Sequence, residues 1–214
     1  MVEFVLAHAD EDPAIVAIDA PLVVPNEAGR RPAEAEIGSV FARYHASAHS
    51  ANRKLLAPNG TARGEELVGR LEVNGFVHRA EVEALTPARQ VIEVYPHPAI
   101  VSIFDLDEII KYKARKKRSH DLRLTELGRY QACLRSLESK EPALLDAREL
   151  LNLDPTSLIK ARLKDYEDRL DGLMCAYIAH YLWRWGMARA RVFGNLSEGY
   201  IVSPVPRTLW SSGE

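Results

Sequence analysis

Three separate segments of the sequence each place a carboxylate in apolar surroundings. Asp19 ends the apolar run AIVAID, and Glu93 lies at the centre of the apolar run VIEVY. A third segment, YEDRLDGLMCAYIAHYL, carries a group of acids that begins at Glu167. Because burying a carboxylate is costly unless a partner compensates its charge, each of these acids is a candidate for a specific role.

Acids that meet in one place would form a site for a divalent metal ion. Crowded carboxylates raise one another's pKa values unless a cation lies among them. Mg²⁺ and Mn²⁺ prefer oxygen ligands and are usually held by a few carboxylates, water and substrate phosphates. Two such ions can clamp the attacking and leaving oxygens of a phosphodiester. We therefore expect these acids to bind Mg²⁺ or Mn²⁺, with Glu93 as one ligand. The alternative is that each acid caps a helix or forms a salt bridge.

A basic segment, KYKARKKR at residues 111–118, is the main candidate for contact with nucleic acid. Six of its eight residues are basic, and their contacts to phosphates would be independent of base sequence and would weaken with salt. Tyr112 could stack on a base, although a charged run is also compatible with a solvated surface. The residues expected to bind nucleic acid are Lys113, Arg115, Lys116, Lys117 and, from an earlier polar segment, Arg53, which could equally pair with an acid.

The segments that carry these residues indicate an α/β fold. Two apolar runs, one ending at Asp19 and one containing Glu93, predict buried strands, and Pro21 marks the end of the first. Buried strands among helices are typical of a sheet that helices cover. The predicted helices are residues 33–46, 64–73, 121–138, 142–151 and 155–185, and residues 200–202 are a short strand or an extended arm.

The last predicted helix carries acids on its apolar face. An α-helix turns about 100° per residue, so the apolar residues around Leu170 share one broad arc. Glu167 and Asp171 fall inside that arc, whereas Asp168 lies just beyond its edge. A purely structural helix would place its acids on the opposite side, so we expect at least one of them to point toward the body of the protein.

Composition limits the class of protein. The chain has 214 residues, of which 47% are hydrophobic, and a formal net charge of −2, which predicts a single domain over residues 1–214. This balanced charge is unlike that of a protein that coats nucleic acid, although a local basic patch is compatible with it. No apolar run reaches 18 residues, and the two cysteines form no metal or disulfide pattern. We expect a cytoplasmic protein without a membrane span.

Six short motifs occur in an order that resembles a known family. They are AIDAPL (17–22), SAHSANRKLL (47–56), VIEVYPHPAI (91–100), IIKYKAR (109–115), EDRLDGLMCAYIA (167–179) and GYIVSP (199–204). Together they resemble the domain-of-unknown-function family 429, a predicted nuclease family assigned to the ribonuclease H-like fold. The resemblance covers residues 14–204 and implies a mixed sheet flanked by helices.

The resemblance also implies an acidic site built from strand ends and the last helix. Asp19 matches the acid of the family's IDAPL motif, and Glu93 matches that of the EVYPH motif. Asp168 and Asp171 match the acids of the final ED-x-x-D motif, so these four are the implied catalytic and metal-binding acids. Further motif positions without an assigned role are matched by His97, Arg53, Tyr112 and Lys113.

His97, directly after the second predicted strand, is the remaining catalytic candidate. It would orient a nucleophilic water or contact a phosphate, and an ordinary surface histidine is the alternative. His45 and His49 are four residues apart, a spacing that can bind zinc, but no third ligand accompanies them.

One departure from the family concerns the start of the fold. Family members usually begin with a strand that carries an early Asp in a Gly-Ile-Asp-Gly-like motif, and no such motif precedes AIDAPL here. We therefore expect a ribonuclease H-like sheet without its first strand. Such a sheet would expose apolar surface and favour a homo-oligomer.

Three functional hypotheses follow from these patterns. The first is a metal-dependent nuclease or phosphodiesterase that acts on nucleic acid through the carboxylate cluster. The second is a catalytically inactive nucleic-acid-binding or scaffold protein that keeps the fold, which the missing early Asp favours. The third is a phosphotransferase or nucleotide-binding relative, against which the absence of a Gly-rich phosphate loop counts.

Overall fold

A computed structural model describes residues 1–211 of the chain, and it mixes helices with short strands. The strands are β1 (Ala14–Ile18), β2 (Val77–His78), β3 (Arg89–Glu93), β4 (Ala190–Asn195) and β5 (Gly199–Pro204). The α-helices are α1 (Val2–Ala9), α2 (Pro32–Phe41), α3 (Arg53–Leu56), α4 (Arg63–Val73), α5 (Pro96–Phe104), α6 (His120–Ser136), α7 (Arg148–Leu151) and α8 (Ala161–Trp185).

The central sheet is parallel and has the strand order β1-β3-β2. Strand β3 lies in the middle, and four of its five residues are buried, as expected for a strand that is covered on both faces. In the register of β1 with β3, Ile18 lies opposite Glu93. The predicted α/β class is therefore confirmed, and the two strands predicted from sequence are direct neighbours.

Strand β1 forms one edge of this sheet, since β3 is its only strand neighbour within residues 1–211. The residues before β1 form α1, which contacts α4. One apolar cluster contains Val2 of α1, Leu71 of α4 and Val91 of β3. The sheet thus has no strand preceding β1 among the described residues, as expected from the motifs. Self-association through this edge stays a prediction.

A separate antiparallel hairpin, β4–β5, extends the sheet region. Its register runs from Ala190 opposite Pro204 to Asn195 opposite Gly199, and a parallel bridge between Val94 and Val202 connects it to the end of β3. All six residues of β5 are buried. Of the two alternatives for residues 200–202, the structure shows the strand, which is longer than predicted, while its partner β4 was not predicted.

Helix α8 packs against β1 and buries the face that its periodicity predicts. Leu170 and Met174 are fully buried, and Glu167 and Asp171 lie on the same buried face. Asp168 is exposed. The angular prediction for these acids is therefore confirmed, because a helix repeat determines which residues share a face whatever the helix packs against.

Several helices differ from the predicted ones. Helix α8 begins at Ala161 rather than residue 155, because Pro155–Ser157 forms a separate 3-10 turn, in which the Asp154 side chain accepts from the Thr156 N–H at 2.9 Å. The helix predicted at residues 142–151 is reduced to α7. Helix α5 was not predicted, although Pro96 and Pro98 fall in its first turn, where a missing N–H is tolerated. Within residues 1–211, none of the helices has the length and apolar character needed to span a membrane.

Candidate functional site

The carboxyl ends of β1 and β3 bring two of the predicted acids to the same edge of the sheet. Glu93 is the last residue of β3, and Asp19 directly follows its register partner Ile18. The backbone N–H of Val94 donates to the Ile18 carbonyl at 3.0 Å, which extends the pairing past the strand ends. In open α/β sheets this edge is where ligands usually bind.

Glu93 is held by a buried arginine. The Nη1 and Nη2 atoms of Arg31 donate to its two carboxylate oxygens at 3.0 and 2.5 Å, and the Leu22 N–H donates to Oε2 at 2.7 Å. Both side chains are only 1–2% exposed. The carboxylate therefore has a structural partner, which was the alternative to a metal-ligand role for this residue.

Arg31 is itself fixed by its position at the start of α2. It is the N-cap residue, Pro32 occupies the first helical position, and Glu34 accepts from the Arg31 backbone N–H at 2.6 Å and from Nε at 2.7 Å. Nη1 also donates to the Val23 carbonyl at 2.9 Å. Every branch of the guanidinium thus has a defined acceptor, as a buried arginine requires.

A glycine in the hairpin leaves room for this arginine. Gly199 has a φ of +92°, and a Cβ at that position would lie 2.4 Å from Cδ of Arg31 and 2.7 Å from the Val23 carbonyl oxygen. Both the left-handed backbone and the close approach exclude a side chain here. The start of β5 is therefore shaped around Arg31.

The buried network contains one guanidinium for two carboxylates, Glu34 and Glu93. Burial raises the pKa of Glu93 to about 7, while the hydrogen bonds from Arg31 and the Leu22 N–H oppose that rise. The pKa of Arg31 is raised because its two acidic partners favour the charged form. The network is thus an anchor between α2 and the sheet rather than an open ligand set.

Asp171 of α8 meets a different cation. Its Oδ1 accepts from the buried Tyr112 hydroxyl at 2.5 Å, and its Oδ2 lies 2.8 Å from Nζ of Lys113. Asp171 is 6% exposed, and the Lys113 side chain reaches solvent with 36% of its surface. The predicted stacking role of Tyr112 is wrong, because its ring is fully buried.

Asp19 lies within the electrostatic reach of this ion pair and has a free carboxylate. Unlike Glu93 and Asp171, it forms no salt bridge or side-chain hydrogen bond within residues 1–211. Asp19 is exposed to solvent, yet the surrounding protein displaces part of the water around its carboxylate, and this desolvation raises its pKa from 3.8 to about 6. The positive charge of Lys113 opposes this rise and the negative charge of Asp171 adds to it.

His97 lies at the start of α5, beside the tyrosine side chains that flank the acids. Its ring centroid is 5.4 Å from that of Tyr95 and 5.9 Å from that of Tyr112. It is 8% exposed, and its Nδ1 atom has no hydrogen-bond partner within residues 1–211. Burial lowers its pKa to about 3, and the charges of Lys113, Arg115 and other cations contribute. The ring is therefore neutral at physiological pH.

The basic segment divides into an inward and an outward part. Lys113 turns toward Asp171, whereas Arg115, Lys116 and Lys117 are exposed. A tight turn links the two parts, since the Arg118 N–H donates to the Arg115 carbonyl at 3.0 Å and its Nη1 donates to the Lys113 carbonyl at 2.6 Å. The segment thus presents positive charge to solvent next to the carboxylates.

The remaining predicted residues lie in other environments. Arg53 donates to Glu65, to the Val24 carbonyl and to the Gly60 carbonyl, so its guanidinium ties loops together. Asp168 pairs with Lys164 on the exposed side of α8. The buried acid Glu167 pairs with Nε of Arg123 at 2.7 Å. The structure therefore brings Asp19, Glu93 and Asp171 to one region and leaves Asp168 outside it.

The donor set for a metal ion is smaller than the sequence implies. Within residues 1–211 no group of three or more His, Cys, Asp or Glu side chains is arranged to hold a metal. The oxygens of Glu93 are occupied by Arg31 and Leu22. Both oxygens of Asp171 likewise have partners, Tyr112 and Lys113. Asp19 therefore remains as the free carboxylate of the three, and a Mg²⁺ ion bound to it would take its other ligands from water and substrate phosphate.

Sequence reasoning did not identify the anchoring network as a unit. On sequence grounds Arg31 could bind a phosphate or pair with one of the acids, and no pattern singles out Glu34. A local signal was present in RRPAE, where Arg31 precedes a proline and an acid follows three residues later. That signal locates the helix start, but it contains no information on the distant partner Glu93.

A comparison of the chain with protein-family models identifies its family. The model described as "Protein of unknown function (DUF429)" matches residues 1–193, so the chain belongs to this family. The family indicated by the six motifs is therefore confirmed. No curated protein and no solved structure matches the chain.

Proposed function

We propose that the protein is a hydrolase of phosphodiester bonds in nucleic acid, with Asp19 and Asp171 as its central acids. The observation that carries the proposal is the position of Asp19 at the carboxyl end of the sheet, free of partners and beside the Lys113–Asp171 ion pair. A reaction at a phosphate develops negative charge on the phosphate oxygens, and nearby cations stabilise that charge. Lys113 and the exposed basic turn supply such cations next to the free carboxylate of Asp19.

Asp19 has a free carboxylate that can serve this reaction in one of two ways, as the general base or as the ligand of a metal ion. Its pKa of about 6 leaves it largely ionised at neutral pH and still basic enough to accept a proton from an attacking water. Lys113 faces the same region and neutralises negative charge on the phosphate. Asp171 and Tyr112 hold the Lys113 ammonium group in place through the ion pair and the 2.5 Å hydrogen bond.

Mg²⁺ or Mn²⁺ is the proposed cofactor, and Asp19 would be its protein ligand, because both oxygens of Asp171 already have partners. When bound, the ion would polarise the phosphate and favour the ionised form of a water molecule. Glu93 and Asp168 are not part of this proposal, because Arg31 occupies the former and the latter lies on the exposed face of α8.

A second candidate is a nucleic-acid-binding protein without catalysis, and one observation favours it. Glu93, which matches an acid of the family's EVYPH motif, is neutralised by Arg31 instead of being open to a ligand. Asp171 likewise has a cationic partner. Such a protein would use the exposed basic turn for binding and the buried ion pairs for stability alone.

Cleavage assays with matched variants test the proposal. The purified protein is incubated with labelled single-stranded, duplex and branched DNA and RNA in the presence of Mg²⁺ or Mn²⁺. We expect metal-dependent cleavage of at least one substrate, its loss in Asp19→Asn and Asp171→Asn, and its retention in the control Asp168→Asn. Equal activity of Asp19→Asn and the parent would contradict the proposal, and salt-sensitive binding without cleavage would favour the second candidate.

A further inference from the structure

A cavity of about 220 Å³ lies beside Asp19, under the polar segment that precedes α3. The residues that line it include Asp19, Ala48, Ser50, Leu56 and Tyr95. It is smaller than the roughly 300–1,000 Å³ of cavities that enclose drug-sized ligands. Its size therefore suits one ring system and not a whole nucleotide.

The walls of the cavity are built by contacts that hold the segment 47–52 over the strand ends. The Tyr95 hydroxyl donates to the Ser47 carbonyl at 3.4 Å, and Nδ2 of Asn26 donates to the Ala51 carbonyl at 3.0 Å. Nδ2 of Asn52 donates to the Gly29 carbonyl at 2.7 Å. The segment is thus tied to two other parts of the chain, the loop between β1 and α2 and the end of β3, which keeps the cavity open next to Asp19.

Charge is distributed unequally around Asp19. The charged residues that line the cavity are the acids Asp19, Glu34 and Glu93 and the single cation Arg31, with His49 as a further titratable group, so the acids outnumber the arginine. The basic residues Lys113, Arg115 and Arg118 do not belong to the part of this lining that the structure describes. A phosphate is therefore attracted to the basic side of Asp19, and an uncharged group is better suited to the cavity.

We infer that the cavity binds a single unstacked nucleobase next to the phosphate that reacts. This inference rests on the proposed function and adds a substrate class to it: nucleic acid whose base is turned out of a stack, as in a single strand or a flipped nucleotide. The flat ring of Tyr95 and the apolar groups of Ala48 and Leu56 offer contact to a base face. A base that remains stacked inside a duplex cannot enter such a cavity.

A base add-back experiment tests the inference without catalysis. Binding of two fluorescent hexanucleotides is measured by anisotropy in EDTA: one carries no bases, and the other carries a single central base. The parent should bind the strand with one base about tenfold more tightly, as stacking of one base on an aromatic side chain allows. This gain should disappear in Ala48→Trp, which fills the cavity.

Two further variants make the result interpretable. Ser50→Trp fills the cavity from an exposed position, so it provides the test if Ala48→Trp does not fold. Ala42→Trp places the same ring on an exposed residue outside the cavity and should keep the gain. The inference is overturned if the base still increases affinity in both cavity variants, or if it does not increase affinity in the parent. Neither result would argue against binding of the phosphates. If the parent binds neither strand at low salt and also cleaves no substrate in the metal-containing assay above, the proposed function fails and this inference fails with it.

Discussion

Arg31 meets Glu93 on both carboxylate oxygens, across 62 residues of sequence and in an environment almost closed to solvent. This pair joins the start of α2 to the end of β3, next to the acids of the candidate site. The pair therefore fixes the end of β3, which is paired with the end of β1 that precedes Asp19. Neither Arg31 nor Glu93 is proposed to act on a substrate.

The first prediction concerns the stability of this pair. Glu93→Gln keeps the size of the side chain but leaves Arg31 with a single charged partner, so the free energy of unfolding should fall by about 3–5 kcal/mol. Chemical denaturation measures the change. Asp168→Asn is the control, and as an exposed substitution it should change stability by less than about 0.5 kcal/mol. Equal stability of Glu93→Gln and the parent would show that the pair is not an anchor.

The second prediction concerns the pKa of Asp19, which side-chain NMR can follow. We expect a pKa near 6 for Asp19 in the parent. Lys113→Gln should raise this pKa, because a nearby cation is lost. Asp171→Asn should lower it, because a nearby anion is lost. Shifts of the same sign in both variants would show that the ion pair does not act on Asp19.

The third prediction concerns the pH dependence of stability. Because the pKa of Asp19 is higher in the folded protein than its usual 3.8, the folded state retains a proton that the unfolded state releases between pH 3.8 and about 6. The contribution of Asp19 to stability is therefore present below that range and is lost as pH rises through it. Thermal melts of Asp19→Asn should show a weaker decline with pH than those of the parent, and identical slopes would contradict the prediction.

The fourth prediction concerns the exposed basic turn. Replacing Lys113, Arg115, Lys116 and Lys117 with Gln should weaken nucleic-acid binding to a similar extent for all sequences. Each lost phosphate contact should reduce the slope of log K against log salt by roughly 0.9 for duplex DNA and roughly 0.7 for single strands. Lys140→Gln, an exposed lysine beyond α6, is the control. An unchanged slope in the fourfold variant would show that the turn makes no phosphate contacts and is only a solvated surface.

The fifth prediction compares two glycines. Gly199→Ala should destabilise the protein by more than about 1 kcal/mol, because its backbone has a positive φ and its Cβ would collide with Arg31. Gly172→Ala, in the exposed part of α8 with no atom within 4 Å of the added Cβ, should stabilise by about 0.5–1 kcal/mol. Denaturation curves test both, and a neutral Gly199→Ala would show that Arg31 can shift at no cost.

Local periodicity in the sequence was sufficient to predict several elements and one face. The apolar runs before Asp19 and around Glu93 predicted β1 and β3, and the angular positions in α8 separated buried Asp171 from exposed Asp168. These features depend on residues that are close in sequence, since the helix and strand repeats determine which side chains share a face. The six motifs likewise identified the family, which the match over residues 1–193 confirms.

Only the tertiary structure decided which cation each buried acid meets. Arg31 and Glu93 are 62 residues apart, and the Tyr112–Asp171 hydrogen bond spans 59 residues. No local sequence pattern can therefore predict either pair. The apolar surroundings of Glu93 were equally compatible with a metal ligand and with an ion-pair partner, because both relieve the cost of burying a charge. Because α2 packs against the hairpin, the Arg31 guanidinium lies at the end of β3 and pairs with Glu93. Of Asp19, Glu93 and Asp171, only Asp19 has carboxylate oxygens without a partner among the described residues.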